Sequence, residues 1–345
     1  MSRAQSSPSR STQLDEGHSQ IIRSTSSELD SRPHSPAMFV IALGAIYLIW
    51  GSTYLAIRYA VQTIPPFLMM GMRHIAAGST LYAWTRMRGV PAPRLREWVY
   101  PVIVGTILFV GGHGTLAWAE ETIPSGIAAL LVATQPMFIL LLSWGWGTEK
   151  AFTSRALAGV ALGFAGVGVL FGPDLLHHSR ALNLWGALAV LGGTFAWAVG
   201  TICMRKVKMP SSSILSSAMQ MLAGGVSLSV IGSLLGETRG FHFSQVTTRS
   251  WLATAYLAVF GSLVAFTAYT WLHTVERPSR VATYAYVNPV VAVLLGWAVG
   301  GEAIGGFTVL AMVIILIGVA LVNTGTKPEP KYERTELSQG EVAAD

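Results

Sequence analysis

Arg73, His74 and His113 are ionisable residues set inside long apolar stretches, the costliest place in this sequence for a charge. A guanidinium keeps its charge, so Arg73 requires a carboxylate, another anion or water beside it. The carboxylates nearest to it in depth are Glu120 and Glu121, at the end of the third apolar stretch. We expect Arg73, His74 and Glu120 to form a charge pair that shapes and gates one end of a central cavity. A dedicated carboxylate clamp at Arg73 and a side chain that snorkels to the surface are the alternatives. Thr106, His113 and Glu120 recur every seven residues and so share a helical face. Imidazole changes charge near neutral pH, which lets His113 bind a polar ligand or pass a proton; a neutral imidazole can equally do no more than bond a neighbouring helix.

Aromatic and polar residues also fall into stripes. Tyr47, Trp50, Tyr54 and Arg58 lie on one face at helical spacing, and Trp197, Thr201 and Arg205 continue the same pattern further along. Gln135 precedes Pro136, and Asn288 precedes Pro289, each within an apolar stretch. Proline removes a backbone donor and frees the carbonyl four residues earlier, here Val132 and Ala285, so both sites are expected to kink beside a polar space. Tyr284 is one turn before Asn288, and Tyr269 lies on the polar face of the eighth stretch. The candidate ligand-binding residues are therefore Tyr47, Trp50, Tyr54, His113, Gln135, Trp197, Thr201, Tyr269, Tyr284 and Asn288. An aromatic wall with few fixed charges suits a small amphipathic molecule.

No reactive constellation accompanies these residues. The sequence has no H-E-x-x-H, no G-x-S-x-G and no P-loop, and GFAGVG at 163–168 sits in an apolar stretch with no strand before it. The single cysteine, Cys203, rules out a disulfide framework or a Cys-rich metal site. We expect no catalytic residue, no metal and no cofactor, and nucleotide hydrolysis by this chain is not available to drive work.

The elements that carry these residues are long and apolar. With 52% hydrophobic and 12% charged residues in 345, against about 25% charged in a soluble domain, the chain belongs in a lipid bilayer. Apolar stretches near the roughly 20 residues that cross a bilayer occur at 38–60, 66–86, 98–119, 125–146, 154–172, 183–204, 211–235, 251–273, 279–299 and 304–323. The expected fold is an all-α integral membrane protein of ten transmembrane helices. Of 23 Lys and Arg, eighteen fall in the tails and in alternate loops that would lie on the tails' side, so both termini are expected in the cytoplasm. The net charge of +6 is explained by topology and anionic lipid, without a nucleic-acid partner. The Ser-rich residues 1–37 and the polar residues 326–345 are read as disordered cytoplasmic tails, with Met38 as an alternative start.

The chain also repeats itself. Trp50, Arg58 and Gly78 fall on Trp197, Arg205 and Gly225 at an offset of 147, and Trp98, Trp118, Pro136 and Glu149 fall on Trp251, Trp271, Pro289 and Glu302 at an offset of 153. Each unit holds an odd number of crossings, so the second enters the membrane inverted, giving a five-plus-five repeat over 38–172 and 183–325. Inverted repeats are an architecture of secondary transporters, with the binding site near the bilayer midplane.

Four segments carry a family resemblance: WGSTYLAIRYAV, PPFLMMGMRHIAAG, WAEETIPSGIAALLVATQPMF and YAYVNPVVAVLLGWAVGGE. Over about residues 38–325 the chain resembles the EamA family of the drug/metabolite transporter superfamily. The resemblance implies alternating access around a central cavity and export of amino acids or related small metabolites across the inner membrane. Multidrug, nucleobase-type or sugar-type cargo, or a passive channel, are the alternatives. Expected partners are a small-molecule substrate and the bilayer, with proton coupling open through His74 and His113.

Overall fold

The computed structural model describes residues 36–146, 153–172, 183–210, 212–275 and 283–325. Every described element is helical. The first part of the chain forms α1 (Pro36–Ala60), α2 (Pro66–Met87), a 3-10 turn (Leu95–Trp98), α3 (Val99–Thr106), the π-helical segment π1 (Ile107–Gly114), α4 (Thr115–Ala119), α5 (Ser125–Val132), α6 (Gln135–Gly145) and α7 (Ser154–Leu170). The second part forms α8 (Leu184–Lys206), α9 (Ser213–Leu234), a 3-10 turn (Phe243–Gln245), α10 (Thr248–Tyr256), π2 (Leu257–Val264), α11 (Ala265–Val275), α12 (Tyr284–Ala298) and α13 (Gly306–Gly325). The expected tails lie outside the described residues, except that α1 already begins at Pro36.

Among the described residues seven helical runs are long and apolar enough to cross a membrane, and α7 and α12 are shorter apolar helices. The 22-residue α2 is not among the seven; Arg73, His74 and Arg86 dilute its apolar character. Large apolar side chains stay exposed, with Leu48 at 64% and Trp185 at 74%, as an outer surface facing lipid tails requires. The chain is an all-α, multi-pass membrane protein.

Helix starts follow local chemistry. Thr153, Asn183, Ser212 and Thr247 each accept a backbone N–H three residues ahead, at 3.1 to 3.3 Å, and so cap α7, α8, α9 and α10. Two other starts are capped from far away in sequence. Glu302 accepts the backbone N–H groups of Ser125 (2.8 Å) and Gly126 (3.1 Å) at the start of α5. Glu237 accepts those of Phe67 (3.2 Å) and Leu68 (2.9 Å) at the start of α2. A carboxylate there also meets the positive end of the helix dipole.

The most extensive pairings are α7 with α13 and α2 with α9, and both depend on missing side chains. A Cβ on Gly78 would stand 2.8 Å from the Leu222 backbone nitrogen, and one on Gly159 would stand 2.7 Å from the Gly318 carbonyl. Without a hydrophobic effect between helices in lipid, close backbone approach of this kind is what holds them. Gly168, also on α7, faces open space and takes no part.

The two prolines behave differently. The fourth stretch breaks at Ala133–Thr134 into α5 and α6, with Pro136 at the start of α6. Pro289 sits inside α12 without breaking it. Its ring opposes only Ala285, in the first turn of that helix, so less ladder is lost there.

Candidate functional site

The third and eighth stretches each contain an eight-residue π-helical segment, π1 and π2. A π turn adds a residue to the winding, is rare, and concentrates at functional sites. Both candidate clusters dock on these wide turns.

The first cluster is aromatic. The Trp50 ring of α1 lies 5.1 Å from both Tyr269 of α11 and Tyr284 of α12, and the two tyrosines are 5.9 Å apart. The indole N–H of Trp50 donates to the Gly261 carbonyl of π2 at 3.1 Å. Asn288 is buried one turn above Tyr284; with its amide nitrogen turned inward it donates to the carbonyls of Tyr47 (3.2 Å) and Tyr284 (3.3 Å). The Tyr47 hydroxyl and Thr283 hydroxyl meet at 2.5 Å. Gly51 permits this contact between α1 and α12, because a Cβ there would stand 2.6 Å from the Val291 side chain.

The second cluster is ionisable. His74 Nδ1 lies 2.7 Å from the Met70 carbonyl, which can only accept, so that nitrogen carries a proton. In neutral His74 the other nitrogen, Nε2, accepts, and His113 Nδ1, 3.0 Å away, donates to it. His113 Nε2 is then left with a lone pair. The His113 ring lies tilted against Trp197 and Phe109, with centroids 4.7 Å and 5.4 Å away. Gly112 makes room, since a Cβ there would stand 2.6 Å from the Trp197 ring.

The two clusters meet at consecutive residues of π2. Gly261 takes the Trp50 indole, and the Ser262 hydroxyl accepts Arg73 Nε at 3.0 Å. A Cβ on Gly261 would stand 3.1 Å from Thr53 and 3.2 Å from Arg73 Nη2. Ser262 lies seven residues before Tyr269 on the eighth stretch, but that spacing does not mark it as the partner of Arg73.

The expected charge pair is not formed. Arg73 turns toward π2, where Gly261 leaves room, and has no carboxylate within 4.0 Å among the described residues. Glu120 lies instead toward α1, within electrostatic reach of Tyr54, Arg58 and Glu302. The ion pair among the described residues is Arg58 Nε with Glu302 Oε1, at 3.4 Å. Glu120 is 1% exposed, and neither of its oxygens has a hydrogen-bond partner there. It is the first residue past the span Leu95–Ala119. Burial, reinforced by the Glu302 carboxylate, holds it well above the usual carboxylate range, and Arg58 opposes this.

Other candidates lie apart from the two clusters. Gln135 opens α6 half-buried, with no hydrogen bond to either cluster. The Thr201 hydroxyl donates back to the Trp197 carbonyl of its own helix at 2.8 Å. Tyr54 packs against the apolar core.

The end of the bundle that holds Glu120 is closed by polar contacts. Arg58 donates to the Ile123 carbonyl (2.6 Å), Tyr59 donates to the Val299 carbonyl (2.9 Å), and Ser250 donates to the Tyr59 carbonyl (2.8 Å). The Arg249 guanidinium lies 3.5 Å over the Tyr59 ring. A groove beside these contacts is lined by Ile64, Phe67, Trp118, Glu121, Glu237 and Arg239, among others. Burial raises Glu121 and Glu237 above the ordinary carboxylate value; Glu237 adds to the rise of Glu121, and the Leu68 and Phe67 N–H groups oppose that of Glu237.

Comparison with known proteins places this arrangement in a class. The model of the EamA-like transporter family matches the chain twice, over residues 36–172 and 184–324. The chain belongs to the EamA-like transporter family and is a membrane transporter. It is 39% identical to the uncharacterized inner membrane transporter YedA of Escherichia coli, over 82% of this chain and 90% of that protein. It is 28% identical to protein PagO of Salmonella typhimurium (80% and 90% covered) and 26% identical to the uncharacterized transporter YvbV of Bacillus subtilis (84% and 92% covered). A chain of known crystal structure shares the fold with a TM-score of 0.57 at 22% identity, covering 84% of this chain and 98% of that one.

Proposed function

We propose that the protein is a secondary transporter of the inner membrane that exports small metabolites such as amino acids by alternating access. In this reading ten helices cross the bilayer as two inverted units of five, both termini are cytoplasmic, and the end closed around Tyr59 faces outward. The observation that carries the reading is convergence: Trp50 and Arg73, from the first family match, meet at Gly261 and Ser262, from the second. A site shared by two repeats is where a carrier of this architecture binds its cargo. The aromatic faces of Trp50, Tyr269 and Tyr284 suit an apolar side group, and His113, Asn288 and Arg73 supply polar recognition.

The test is uptake into proteoliposomes of a panel of radiolabelled metabolites, with and without a proton gradient. A carrier gives saturable flux and counterflow for at least one solute. Flux that rises linearly with concentration and shows no counterflow would mean a channel. Loop labelling tests topology separately: reagents that reach residues 236–249 only from the side of the tails would overturn the inverted arrangement.

A further inference from the structure

Glu120 belongs to neither cluster. It is 1% exposed, and neither of its oxygens has a hydrogen-bond partner among the described residues. Glu302, close by, is its opposite, with Ser125, Gly126 and Arg58 all on its carboxylate. An ionised carboxylate as bare as Glu120 loses its hydration with nothing in return, whereas the protonated acid is neutral and far cheaper to bury.

The charged groups around Glu120 leave room for one proton. Tyr54 and Arg58 face it from α1, and Glu302 from the loop before α13. Its neighbour Glu121 lines the groove with Glu237 and Arg239, and Arg249 lies on the Tyr59 ring. No titratable residue occurs in α5 or in residues 184–202 of α8, which pack here through Gly186 against Ile123. Arg73 and His74 of α2 are held by Ser262 and His113 instead. Arg58 and Glu302 balance each other, so a proton on Glu120 makes the group neutral and its loss leaves one negative charge in excess.

We propose that Glu120 is a proton-binding site of the outer gate: its carboxyl holds a proton while that end of the bundle is closed and releases it when the end opens to water. Trp118 and Glu121 line the open groove, so solvent is one residue away once the bonds from Arg58 to Ile123 and from Tyr59 to Val299 part. Burial raises the closed-state pKa above that of the open end. Closure is therefore favoured in full below the ordinary carboxylate value and loses that advantage as pH rises through the raised one. Acid outside shuts the gate. The proton enters and leaves on that side, unlike a proton that crosses the membrane to drive transport. The inference rests on the carrier reading and adds a regulator to it.

The experiment is hydrogen–deuterium exchange of the full-length protein in lipid nanodiscs across pH, read at residues 61–64 and 121–123. Glu120→Gln, which mimics the protonated acid, is measured beside the wild type at every pH, so that the ordinary pH dependence of exchange cancels. The wild type is expected to exchange faster than the variant by up to about tenfold per pH unit above the ordinary carboxylate value, the linkage of one proton. In α7 and α13 the two are expected to match. Infrared spectra at about pH 7, where exposed carboxylates are ionised, are expected to show a protonated-carboxyl band that Glu120→Gln removes. Glu120→Leu, also neutral, serves if the Gln variant does not fold. A ratio of rates that stays flat with pH, or a wild type without that band, overturns the proton site. Counterflow of the metabolite panel tests the carrier reading by itself: counterflow beside a flat ratio strikes only the proton site, and a pH-driven end without counterflow strikes only the carrier.

Discussion

Glu302 Oε1 accepts both the backbone N–H and the hydroxyl of Ser125 at 2.8 Å, while the same oxygen faces Arg58 Nε at 3.4 Å. One buried carboxylate thus joins three segments: the end of α1, the start of α5 and the loop before α13. Geometry of this kind gives direct predictions.

Glu302→Gln keeps the shape of the side chain but removes the charge that holds Arg58 and the α5 dipole. We expect a loss of about 1–2 kcal/mol, mostly from the cap, because Arg58 is partly exposed and its ion pair contributes little. Thermal unfolding in micelles reads it. A midpoint equal to that of the wild type would show that the carboxylate does not cap α5.

His113→Phe preserves the ring against Trp197 but leaves His74 Nε2 buried without its donor. The cost expected for an orphaned acceptor is about 1–3 kcal/mol. Adding His74→Phe removes the orphan, so the double variant is expected to be more stable than the sum of the single effects. Strict additivity would show that the two imidazoles do not bond.

Gly78→Val places a branched side chain against the backbone of α9. Two helices that meet through backbone contact cannot absorb it without separating, and overpacking of this order costs about 1–3 kcal/mol or more. Yield of monodisperse protein after solubilisation is the measurement, with Gly168→Val, which faces open space, as the tolerated control.

Trp197→Ala and Trp50→Ala remove the ring faces on either side of the Arg73 junction. Transport of whichever solute proves saturable is expected to fall by at least roughly tenfold in each, in line with one to two kcal/mol of lost aromatic contact. Full activity in both would take these residues out of the site.

Stability is expected to decline gently as pH rises from about 4.5. Glu121 and Glu237 titrate higher in the folded protein than the ordinary value of 4.5, so the folded state binds more protons than the unfolded one just above that pH. Their contribution is absent below 4.5, grows as an unfavourable term while pH rises toward their raised values, and is constant beyond. Glu121→Gln, which leaves the Glu237 cap intact, is expected to flatten the slope of unfolding midpoint against pH between 4.5 and 7.

Much of the fold was legible because spacing decides it. The stretches at 38–60, 66–86 and 304–323 become α1, α2 and α13 with ends shifted by a few residues. Trp50, Tyr269, Tyr284 and Asn288 came together because side chains at helical spacing on facing stripes must meet. What stayed hidden was set by hydrogen-bond winding and by distance along the chain. Nothing in ILFVGGHG or LAVFGSLV distinguishes a wide turn from an ordinary one, yet π2 decides where Arg73 points. The Glu302 cap joins residues 177 apart; the offset matching Glu302 to Glu149 marked it as repeated without saying what it held. Glu149 lies outside the described residues.

Glu237 and Glu302 both belong to the second family match, and both serve helices of the first. In return Thr63, in the first match, accepts the Thr247 backbone N–H just before α10 at 3.2 Å. Were the gene cut between the units, the leading fragment would emerge with two bare helix ends, and its recovery would depend on co-synthesis of the trailing one.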